Sequence, residues 1–499
     1  MPVMQCNLDP KTRALLGHIQ AFLAQRGCEG YIVGGFPRDM FLGRPIRDLD
    51  IALGGDAATL GNELALELGA RPVLLDEING VVRLILLKFG DDNRQLDLST
   101  MHGNITADLR RRDFTIDALA INIALPPWDS NNTQTVELID PLNGLKDIKD
   151  GFVRAIGPDV FREDAIRLLR AVRLAAELGL IIESATAALI CRDAHLLQQT
   201  AGERVREELL RLLTLTGTDE TILLMQELGL LTAIIPELAP AVGLKQHNDH
   251  QWDVFKHSAR SVAALDFILR QSSWSYASPT VLDDVPWNES LISHFQTTIS
   301  PISTRRELGK LAALLHDIAK PQTQGISPSG KLCFYGHPQE GAPVVEKILE
   351  RLRFSTKENR LVTTIVRHHL RPVQMGGDDA LPTRRAVYRM LREVGDATID
   401  TLFFSLADHL ATRGDNLDLT NWRHHANIVA YVLSESARTA SVVPIALLNG
   451  HDLQCELGLK PGVKLGQILD ELREAQATGE ITSKEEARKY AARLLNDKT

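Results

Sequence analysis

The strand-like pattern of this 499-residue chain ends at DPLNG (residues 140–144), and nearly everything after residue 160 carries helical periodicity. Before that point the apolar pattern predicts helices over 11–27, 37–43 and 56–69, and strands at 31–35, 48–53, 81–89 and 94–100. A turn, GDDN (90–93), separates the last two strands. This change of period predicts an α+β protein, with a small mixed α/β head followed by an all-helical remainder.

The length of the chain is too great for one hydrophobic core and predicts several domains. We expect a head over 1–150, a helical neck over 151–225, a histidine-bearing helical domain over 226–430, and a helical tail over 431–499. Residues 272–300 are polar and weakly periodic, which indicates an insertion or a long surface loop within the third domain.

Composition excludes several classes of protein. No stretch approaches the roughly 18 apolar residues of a membrane span, and the N-terminus lacks the apolar core of a signal peptide. We therefore expect a cytoplasmic protein without membrane association. The five cysteines are far apart and form no CxxC pair, which argues against a disulfide framework or a zinc knuckle. The net charge of −9 means that any RNA binding must use local basic patches.

Three carboxylates in the head are candidate metal ligands. Asp48 and Asp50 are two residues apart on a predicted strand, so both should point to one face, and Asp97 lies in a later strand. Carboxylates suit two hard divalent ions that promote phosphoryl transfer. Gly34 and Gly35 precede them and would let backbone N–H groups approach a triphosphate closely, with Arg38 adding charge-assisted contacts.

At this point the sequence resembles a known family. GGFPRDMFLGRPIRDLDIAL (34–53) is similar to the signature of class II tRNA nucleotidyltransferases and bacterial poly(A) polymerases. Four further motifs follow in the family's order: RRDFTIDALA (111–120), DPLNGLKDI (140–148), FREDAIRLLRAVRLAAELGL (161–180) and GERVREELLRLL (202–213). The resemblance implies a nucleotidyltransferase head and a neck that contains a nucleotide-selecting helix.

The resemblance also implies roles for individual residues. Arg111, Arg112 and Asp113 would line the sugar and phosphates of the nucleotide. Asp164, Arg167 and Arg170 lie at helical spacing, and Asp164 with Arg167 could mimic the Watson–Crick edge of a partner base, each good contact discriminating by about 1–3 kcal/mol. A surface salt bridge is the alternative for this pair.

Two departures from the family pattern bear on specificity. Asp117 stands where the family usually carries Asn, which removes donor capacity while the carboxyl is ionised. Only thirteen residues separate Asp97 from Arg111, whereas the resemblance implies a longer flexible loop in CCA-adding relatives and a shortened one in relatives that add only two cytidines. We therefore hypothesise CC addition, with CCA addition as the alternative.

The helical domain carries a second set of ligand-type residues. His257, His316, Asp317 and Asp408 occur in an order that resembles the HD phosphohydrolase superfamily, with His337 and His368 as further candidates. Such ligands suit Mn, Ni or Fe, and Mg less well. The functional interpretation is a phosphohydrolase acting on cyclic or terminal phosphates at RNA ends. The alternative is an inactive fold that grips tRNA.

Together these features predict transfer of CMP, and in the alternative also AMP, from CTP and ATP to the 3′ end of tRNA, with Mg²⁺ held by the head. The neck and tail would hold the acceptor stem, and GLKPG (458–462) in the tail could present backbone N–H groups to phosphate. Three other functions stay open: poly(A) synthesis, an HD phosphohydrolase with a nucleotide-binding head, and a non-catalytic RNA-binding protein.

Overall fold

The computed structural model describes residues 3–6, 8–46, 48–77, 80–86, 95–126, 128, 134–246, 251–376, 380–440 and 446–496. The predicted turn GDDN lies outside these residues. The chain forms two compact units, residues 1–197 and 198–499. The prediction of an α+β protein is confirmed, because strands of more than three residues occur only before residue 140 in the described part of the chain.

The first unit is built on one mixed sheet of eight strands. In spatial order these are β1, β8, β7, β2, β3, β6, β5 and β4. The strands span Val3–Cys6 (β1), Gly30–Val33 (β2), Leu49–Leu53 (β3), Arg71–Asp76 (β4), Val81–Ile85 (β5), Gln95–Thr100 (β6), Ala120–Asn122 (β7) and Gln134–Ile139 (β8). Among the described strand pairs of this sheet, only β3 and β6 run parallel, and β1, β4, β7 and β8 were not predicted from the sequence.

Helices connect these strands and complete the first unit. They span Pro10–Gln25 (α1), Gly35–Phe41 (α2), Ala57–Leu68 (α3), Ile105–Leu109 (α4), Gly144–Asp150 (α5), Val160–Glu163 (α6), Arg167–Leu178 (α7) and Ser184–Asp193 (α8), with a 3₁₀ turn at Thr115–Asp117. The first three confirm the predicted helices. A small parallel ladder joins Phe152–Val153 (β9) to Ile181–Ile182 (β10).

The predicted helix over FREDAIRLLRAVRLAAELGL is broken in the structure. Helix α6 ends at Glu163, Asp164 adopts an extended conformation with φ −153° and ψ 106°, and α7 begins at Arg167. Ile166 and Leu168, which flank the first residue of α7, are both buried. The chain therefore changes direction at the break while its apolar side chains stay in the core.

The second unit is helical, as predicted, with two short hairpins added. Its helices span Gly202–Thr214 (α9), Asp219–Glu227 (α10), Leu230–Ile234 (α11), Val254–Ile268 (α12), Glu289–Phe295 (α13), Arg305–Leu315 (α14), Lys320–Thr323 (α15), His337–Arg351 (α16), Thr356–His368 (α17), Arg371–Met375 (α18), Arg384–Val394 (α19), Thr398–Arg413 (α20), Leu419–Ala440 (α21), Gly450–Leu457 (α22), Val463–Thr478 (α23) and Lys484–Asn496 (α24). The hairpins pair Thr298–Ser300 (β11) with Ser303–Thr304 (β12) and Gly325–Ile326 (β13) with Leu332–Cys333 (β14).

Residues 272–300 do not form a long surface loop, so that alternative is wrong. The segment contains a 3₁₀ turn over Pro279–Asp284 and helix α13. Trp274 and Phe295 are buried, and the Trp287 ring stacks on Phe295 with ring centroids 6.3 Å apart. The apolar residues are too widely spaced in the sequence to show helical periodicity, yet they anchor the segment to the core.

No described helix combines the length and the apolar character that crossing a membrane requires.

Candidate functional site

A glycine turn opens the candidate site in the first unit. Strand β2 ends at Val33, Gly34 adopts φ +72°, and α2 begins at Gly35. A Cβ atom on Gly34 would lie 2.7 Å from Asp50 Oδ2 and 3.5 Å from Arg112 Nη1. Both the left-handed backbone and this close approach require glycine, so the turn rests directly on a carboxylate.

Two of the three predicted carboxylates face each other across neighbouring strands. Asp50 and Asp97 are register partners in the parallel β3–β6 ladder, and Asp48 is exposed immediately before β3. Burial, together with the charges of Asp97 and Asp48, raises the pKa of Asp50 to about 6, although Arg112 opposes this rise. A half-buried carboxylate beside other carboxylates favours a cation, and an all-oxygen donor set suits Mg²⁺.

Arg83 is a residue of this site that was not predicted from the sequence. It lies opposite Asp97 in the antiparallel β5–β6 ladder, and its Nε and Nη2 donate to Asp97 Oδ1 and Oδ2 at 2.8 and 2.7 Å. This bidentate contact fixes the plane of the carboxyl group. Only the cross-strand register identifies the pair, because Arg83 belongs to none of the motifs.

Arg38 lies beneath the glycine turn, with 6% of its surface exposed. Its Nε donates to Asp39 Oδ1 at 2.9 Å, and its Nη1 donates to Asp117. Burial raises the pKa of Asp117 in spite of Arg38 beside it. Nε and Nη1 of Arg38 are thus held by carboxylates under the turn, and contact between Arg38 and a triphosphate stays a prediction.

The three residues of the RRD motif, 111–113, differ in burial. Arg111 is exposed and Arg112 is half-buried beside Gly34, whereas Asp113 is buried and accepts from Arg170 Nε at 2.7 Å. Burial opposes ionisation of Asp113, but Arg170 and Arg167 outweigh it and lower its pKa. Asp113 and Arg170 thus form a supporting pair that ties α7 to the segment before the 3₁₀ turn.

The predicted base-reading pair lies where the helix is broken. Arg167 Nη1 donates to Glu163 Oε2 at 2.9 Å and to the Val160 carbonyl at 3.1 Å. Asp164 Oδ1 accepts from the Ile166 backbone at 3.3 Å. Because Asp164 is extended, the two side chains do not share a regular helix face as predicted. They instead flank the start of α7.

The second unit brings a cluster of six ligand-type side chains together. His257 Nε2 lies 2.9 Å from Asp408 Oδ1 and 3.2 Å from His316 Nε2. His316 Nε2 lies 3.1 Å from Asp317 Oδ2. On the other side, His337 Nε2 lies 3.2 Å from Asp317 Oδ1 and 3.3 Å from His369 Nε2. We call these residues the His-Asp cluster.

Backbone contacts fix the tautomers of three of the histidines. His316, His337 and His369 each donate Nδ1–H to the carbonyl three residues earlier, at 2.8, 2.7 and 2.8 Å. The Nε2 lone pairs of His337 and His369 then face each other 3.3 Å apart, whereas His316 Nε2 lies 3.1 Å from Asp317 Oδ2. Two facing lone pairs repel each other unless a cation lies between them, so the donor chemistry fits metal ions.

The charges of the cluster lead to the same conclusion. Burial disfavours a charged His316, yet Asp317 and Asp408 raise its pKa to about 10. Burial and the neighbouring His316 lower the pKa of His369 to about 3. Asp317 and Asp408 themselves stay ionised, with pKa values well below the usual range. A buried site with two carboxylates thus attracts positive charge.

The structure corrects one predicted ligand of the cluster. His368 ends α17 half-buried and outside the cluster, whereas His369 is 1% exposed and joins it. Adjacent residues at a helix end point about 100° apart, so only one of the pair can face the core. His337, the other further candidate, lies 3.2 Å from Asp317 and 3.3 Å from His369 within the cluster.

Three family models match the chain. They are described as poly A polymerase head domain over residues 30–154, probable RNA and SrmB-binding site of polymerase A over 179–242, and HD domain over 290–413. An A-adding tRNA nucleotidyltransferase of Deinococcus radiodurans is 32% identical, with 93% of this chain and 95% of that protein covered.

A CC-adding tRNA nucleotidyltransferase of Thermus thermophilus is 31% identical, with 93% of each chain covered. Several CCA-adding enzymes match only 38–44% of this chain. The solved Thermotoga maritima CCA-adding enzyme complexed with tRNA shares the fold, with a TM-score of 0.60 and 19% identity over 99% of this chain and all of that one.

Proposed function

The chain belongs to the tRNA nucleotidyltransferase family, and from this premise we propose that it adds nucleotides to the 3′ end of tRNA without a template. The tRNA 3′-hydroxyl oxygen forms a bond to the α-phosphorus of CTP or ATP. The bond between the α-phosphorus and the bridging oxygen breaks, pyrophosphate leaves, and the hydroxyl proton is released. The protein would act in the cytoplasm, on tRNA.

Membership of this family implies dependence on a divalent metal. We infer that Asp48 and Asp50 hold Mg²⁺ and that Asp97 completes the set. Bound there, the metal would stabilise negative charge on the reacting phosphate. The observation that carries the proposal is the pairing of Asp50 with Asp97 directly beside the glycine turn.

Substitution of the carboxylates tests this assignment. We expect Asp48→Ala and Asp50→Ala to abolish incorporation of labelled CMP into tRNA, while Asp150→Ala, an exposed carboxylate at the end of α5, keeps wild-type activity. Incorporation that survives both of the first two changes would remove the carboxylate mechanism and favour an HD phosphohydrolase whose head only binds nucleotides.

We propose that the surface residues of the head contact the nucleotide and that the buried residues hold those surface residues in position. Gly34 and Gly35 would offer backbone N–H groups to the triphosphate, and Arg111 and Arg112 would supply positive charge from the surface. Arg38 would act from below by holding the turn. Asp113 and Arg170, through their 2.7 Å contact, would hold in place residues 111–113, which we expect to line the sugar.

We propose that Asp164 and Arg167 select the base. Support comes from their position at the start of α7, where Arg167 Nη2 also lies 3.4 Å from the Arg111 carbonyl and so joins this helix to the RRD motif. Arg167→Ala should lower discrimination between CTP and UTP more than it lowers total incorporation. An unchanged CTP:UTP ratio with reduced rate would assign Arg167 to structure alone.

The product we propose is the CC end. The segment between Asp97 and Arg111 forms the short helix α4, capped by Asn104 and packed through Ile105 and Leu109 against the sheet. Such a packed segment leaves little chain for a switching loop. The relatives matched in sequence over nearly the whole chain are A-adding and CC-adding enzymes, whereas the CCA-adding relatives matched in sequence cover less than half of it.

The product is decided by addition assays on tRNAs ending at the discriminator base, at C and at CC, each with CTP, ATP or both. Extension by two cytidines and none beyond is the expected result. Robust addition of A to the CC end would support CCA addition, and addition of A alone would assign the A-adding reaction. Long tails on a generic RNA with ATP alone would establish poly(A) synthesis.

A second activity is favoured by the His-Asp cluster. We propose that it binds divalent ions such as Mn²⁺ or Ni²⁺ and hydrolyses cyclic or terminal phosphates at RNA ends. The facing Nε2 pairs, His257 with His316 and His337 with His369, indicate two ion positions around Asp317. Metal analysis of the full-length protein, with hydrolysis of RNA ending in a phosphate, tests this; the absence of both metal and turnover would favour an inert fold that grips tRNA.

We further propose that the neck and tail contact the acceptor stem. In the tail, Gly462 precedes α23 without a side-chain cap, and Val463 is 79% exposed beside Lys464. Free backbone N–H groups at a helix start suit phosphate. Lys464→Gln should raise the KM for tRNA without changing the KM for CTP.

A further inference from the structure

Two cavities adjoin the His-Asp cluster. The first has a volume of about 340 Å³ and is lined by Asp317, Asp408, Lys320 and Arg413 among others. We call it the cluster cavity. Its volume is near the lower limit of about 300–1,000 Å³ for pockets that hold small molecules, so it can hold little more than one nucleotide.

The second cavity has a volume of about 250 Å³ and contains Arg367 and Arg371. We call it the arginine cavity. Arg367 is exposed, and Arg371 Nη2 pairs with Glu393 Oε2 at 2.8 Å. With one carboxylate, that of Glu393, against two guanidinium groups, the cavity has a net positive charge. Arginines in a concave site suit phosphate.

The two cavities share one wall, formed by Phe334, Tyr335, His337 and Leu370. His337 belongs to the cluster through its 3.2 Å contact with Asp317. Tyr335, 76% exposed, presents an aromatic ring to solvent at the junction. An exposed ring between the two cavities can serve as a stacking platform for a nucleobase, worth roughly 1–3 kcal/mol per base in single-strand binding.

We propose that the arginine cavity binds the penultimate phosphate of an RNA chain while the terminal phosphate lies in the cluster cavity and a base stacks on Tyr335. This inference rests on the phosphohydrolase activity proposed above and names its substrate class: an oligonucleotide end, not a free mononucleotide. Hydrolysis adds one water, whose oxygen bonds to phosphorus as the ester P–O bond breaks and the leaving oxygen takes a proton.

The experiment compares two substrates on the full-length protein supplied with Mn²⁺. One is the mononucleotide uridine phosphate and the other is the dinucleotide UpU phosphate. Each pair is compared once with a 3′-phosphate end and once with a 2′,3′-cyclic phosphate end. The measured quantity is the ratio of kcat/KM for the dinucleotide to that for the mononucleotide. We expect a ratio of about ten or more for the wild type, mainly through KM, as one charge-assisted contact provides.

Variants connect the preference to the cavity. Arg367→Gln and Arg371→Gln should each bring the ratio close to one, whereas Arg360→Gln, an exposed arginine on the same helix α17 that lines neither cavity, should keep the wild-type ratio. Thermal unfolding shows whether each variant is folded, and the exposed Arg367 remains informative even if Arg371→Gln destabilises the protein.

The possible failures are distinguishable. Turnover of both substrates with a ratio near one in the wild type would overturn the inference and leave the phosphohydrolase proposal intact. A high ratio that both arginine variants retain would place the second phosphate elsewhere. Turnover of neither substrate would remove the phosphohydrolase proposal and this inference with it.

Discussion

Arg83 and Asp97 face each other across neighbouring strands and meet through two parallel hydrogen bonds of 2.8 and 2.7 Å. Asp97 in turn is the register partner of Asp50 on its other side. Arg83 therefore fixes the orientation of one carboxylate of the proposed metal site and reduces its repulsion with the other. Neither bond is visible in any motif of the sequence.

Replacing Arg83 should impair nucleotide addition without unfolding the head. Loss of an outer contact to a metal-binding group costs about 10–100-fold in activity or metal affinity, so Arg83→Gln should lower kcat in this range and raise the Mg²⁺ concentration needed for half-maximal rate. Arg83→Lys should recover part of both. Arg351→Gln, which removes another bidentate arginine–carboxylate pair, is the control; equal effects in both variants would indicate general destabilisation.

Gly34→Ala should abolish or nearly abolish nucleotide addition, because its methyl group would meet Asp50 Oδ2 at 2.7 Å. A positive φ by itself strains any L-residue, and Gly34, with φ +72° and ψ −134°, lies outside even the left-handed helical region. Gly43, with φ +64° and nothing within 4 Å, has the positive φ but not the collision. Gly43→Ala should therefore lose some stability and keep most of its activity. Comparable activities, measured with CTP and tRNA, would mean that the turn adapts.

The sequence predicted the parts of the head in which local pattern and tertiary structure agree. Strands Gly30–Val33 and Leu49–Leu53 are apolar runs at the centre of the sheet, and both were expected. The edge strand Arg71–Asp76 was missed because most of its residues are exposed and no alternation marks it. The contact between Arg38 and Asp117 could not be predicted, since the two residues are 79 positions apart in the chain.

The two adjacent histidines at the end of α17 should differ in their effect on metal binding. His369 is buried in the His-Asp cluster and His368 is not. We expect His369→Ala to lose at least one bound Mn²⁺ per chain after dialysis, as measured by plasma emission spectroscopy. His368→Ala should retain the wild-type metal content. A loss of metal in His368→Ala instead would contradict the assignment of ligands.

Acid should destabilise the second unit through His425. Burial, with His409 stacked beside it, lowers the pKa of His425 from 6.5 to about 3. Between these values the unfolded state binds the proton and the folded state does not, so stability is complete above pH 6.5 and falls as the pH drops towards 3. From pH 7 to 5 this group alone should cost about 2 kcal/mol.

His425→Gln, whose amide can replace the 3.1 Å contact with Ser405 Oγ, should lose correspondingly less stability over that pH range in urea unfolding. The exposed His18→Gln should behave as wild type. If the free energy of unfolding fell equally with pH in wild type and His425→Gln, the prediction would be wrong. The imidazole of His425 would then bind its proton as readily in the folded state as in the unfolded state.

The order of residues alone also could not predict the helix break in the neck or the full set of side chains in the His-Asp cluster. The motif around Asp164 has the spacing of a helix, yet the chain leaves the helix at that residue. The order of His257, His316, Asp317 and Asp408 indicated a metal site, and the structure brings these four together. Which of His368 and His369 joins them depends on where α17 ends, and periodicity does not resolve a helix end to one residue.

The contacts that His316, His337 and His369 make with carbonyls three residues earlier have a thermodynamic consequence. Each imidazole is oriented by its own short stretch of chain, so its rotational freedom is lost when that stretch folds and not when an ion arrives. An ion that enters the cluster therefore meets preorganised nitrogens, and the entropy that ordering these side chains would otherwise subtract from its affinity has already been spent in folding.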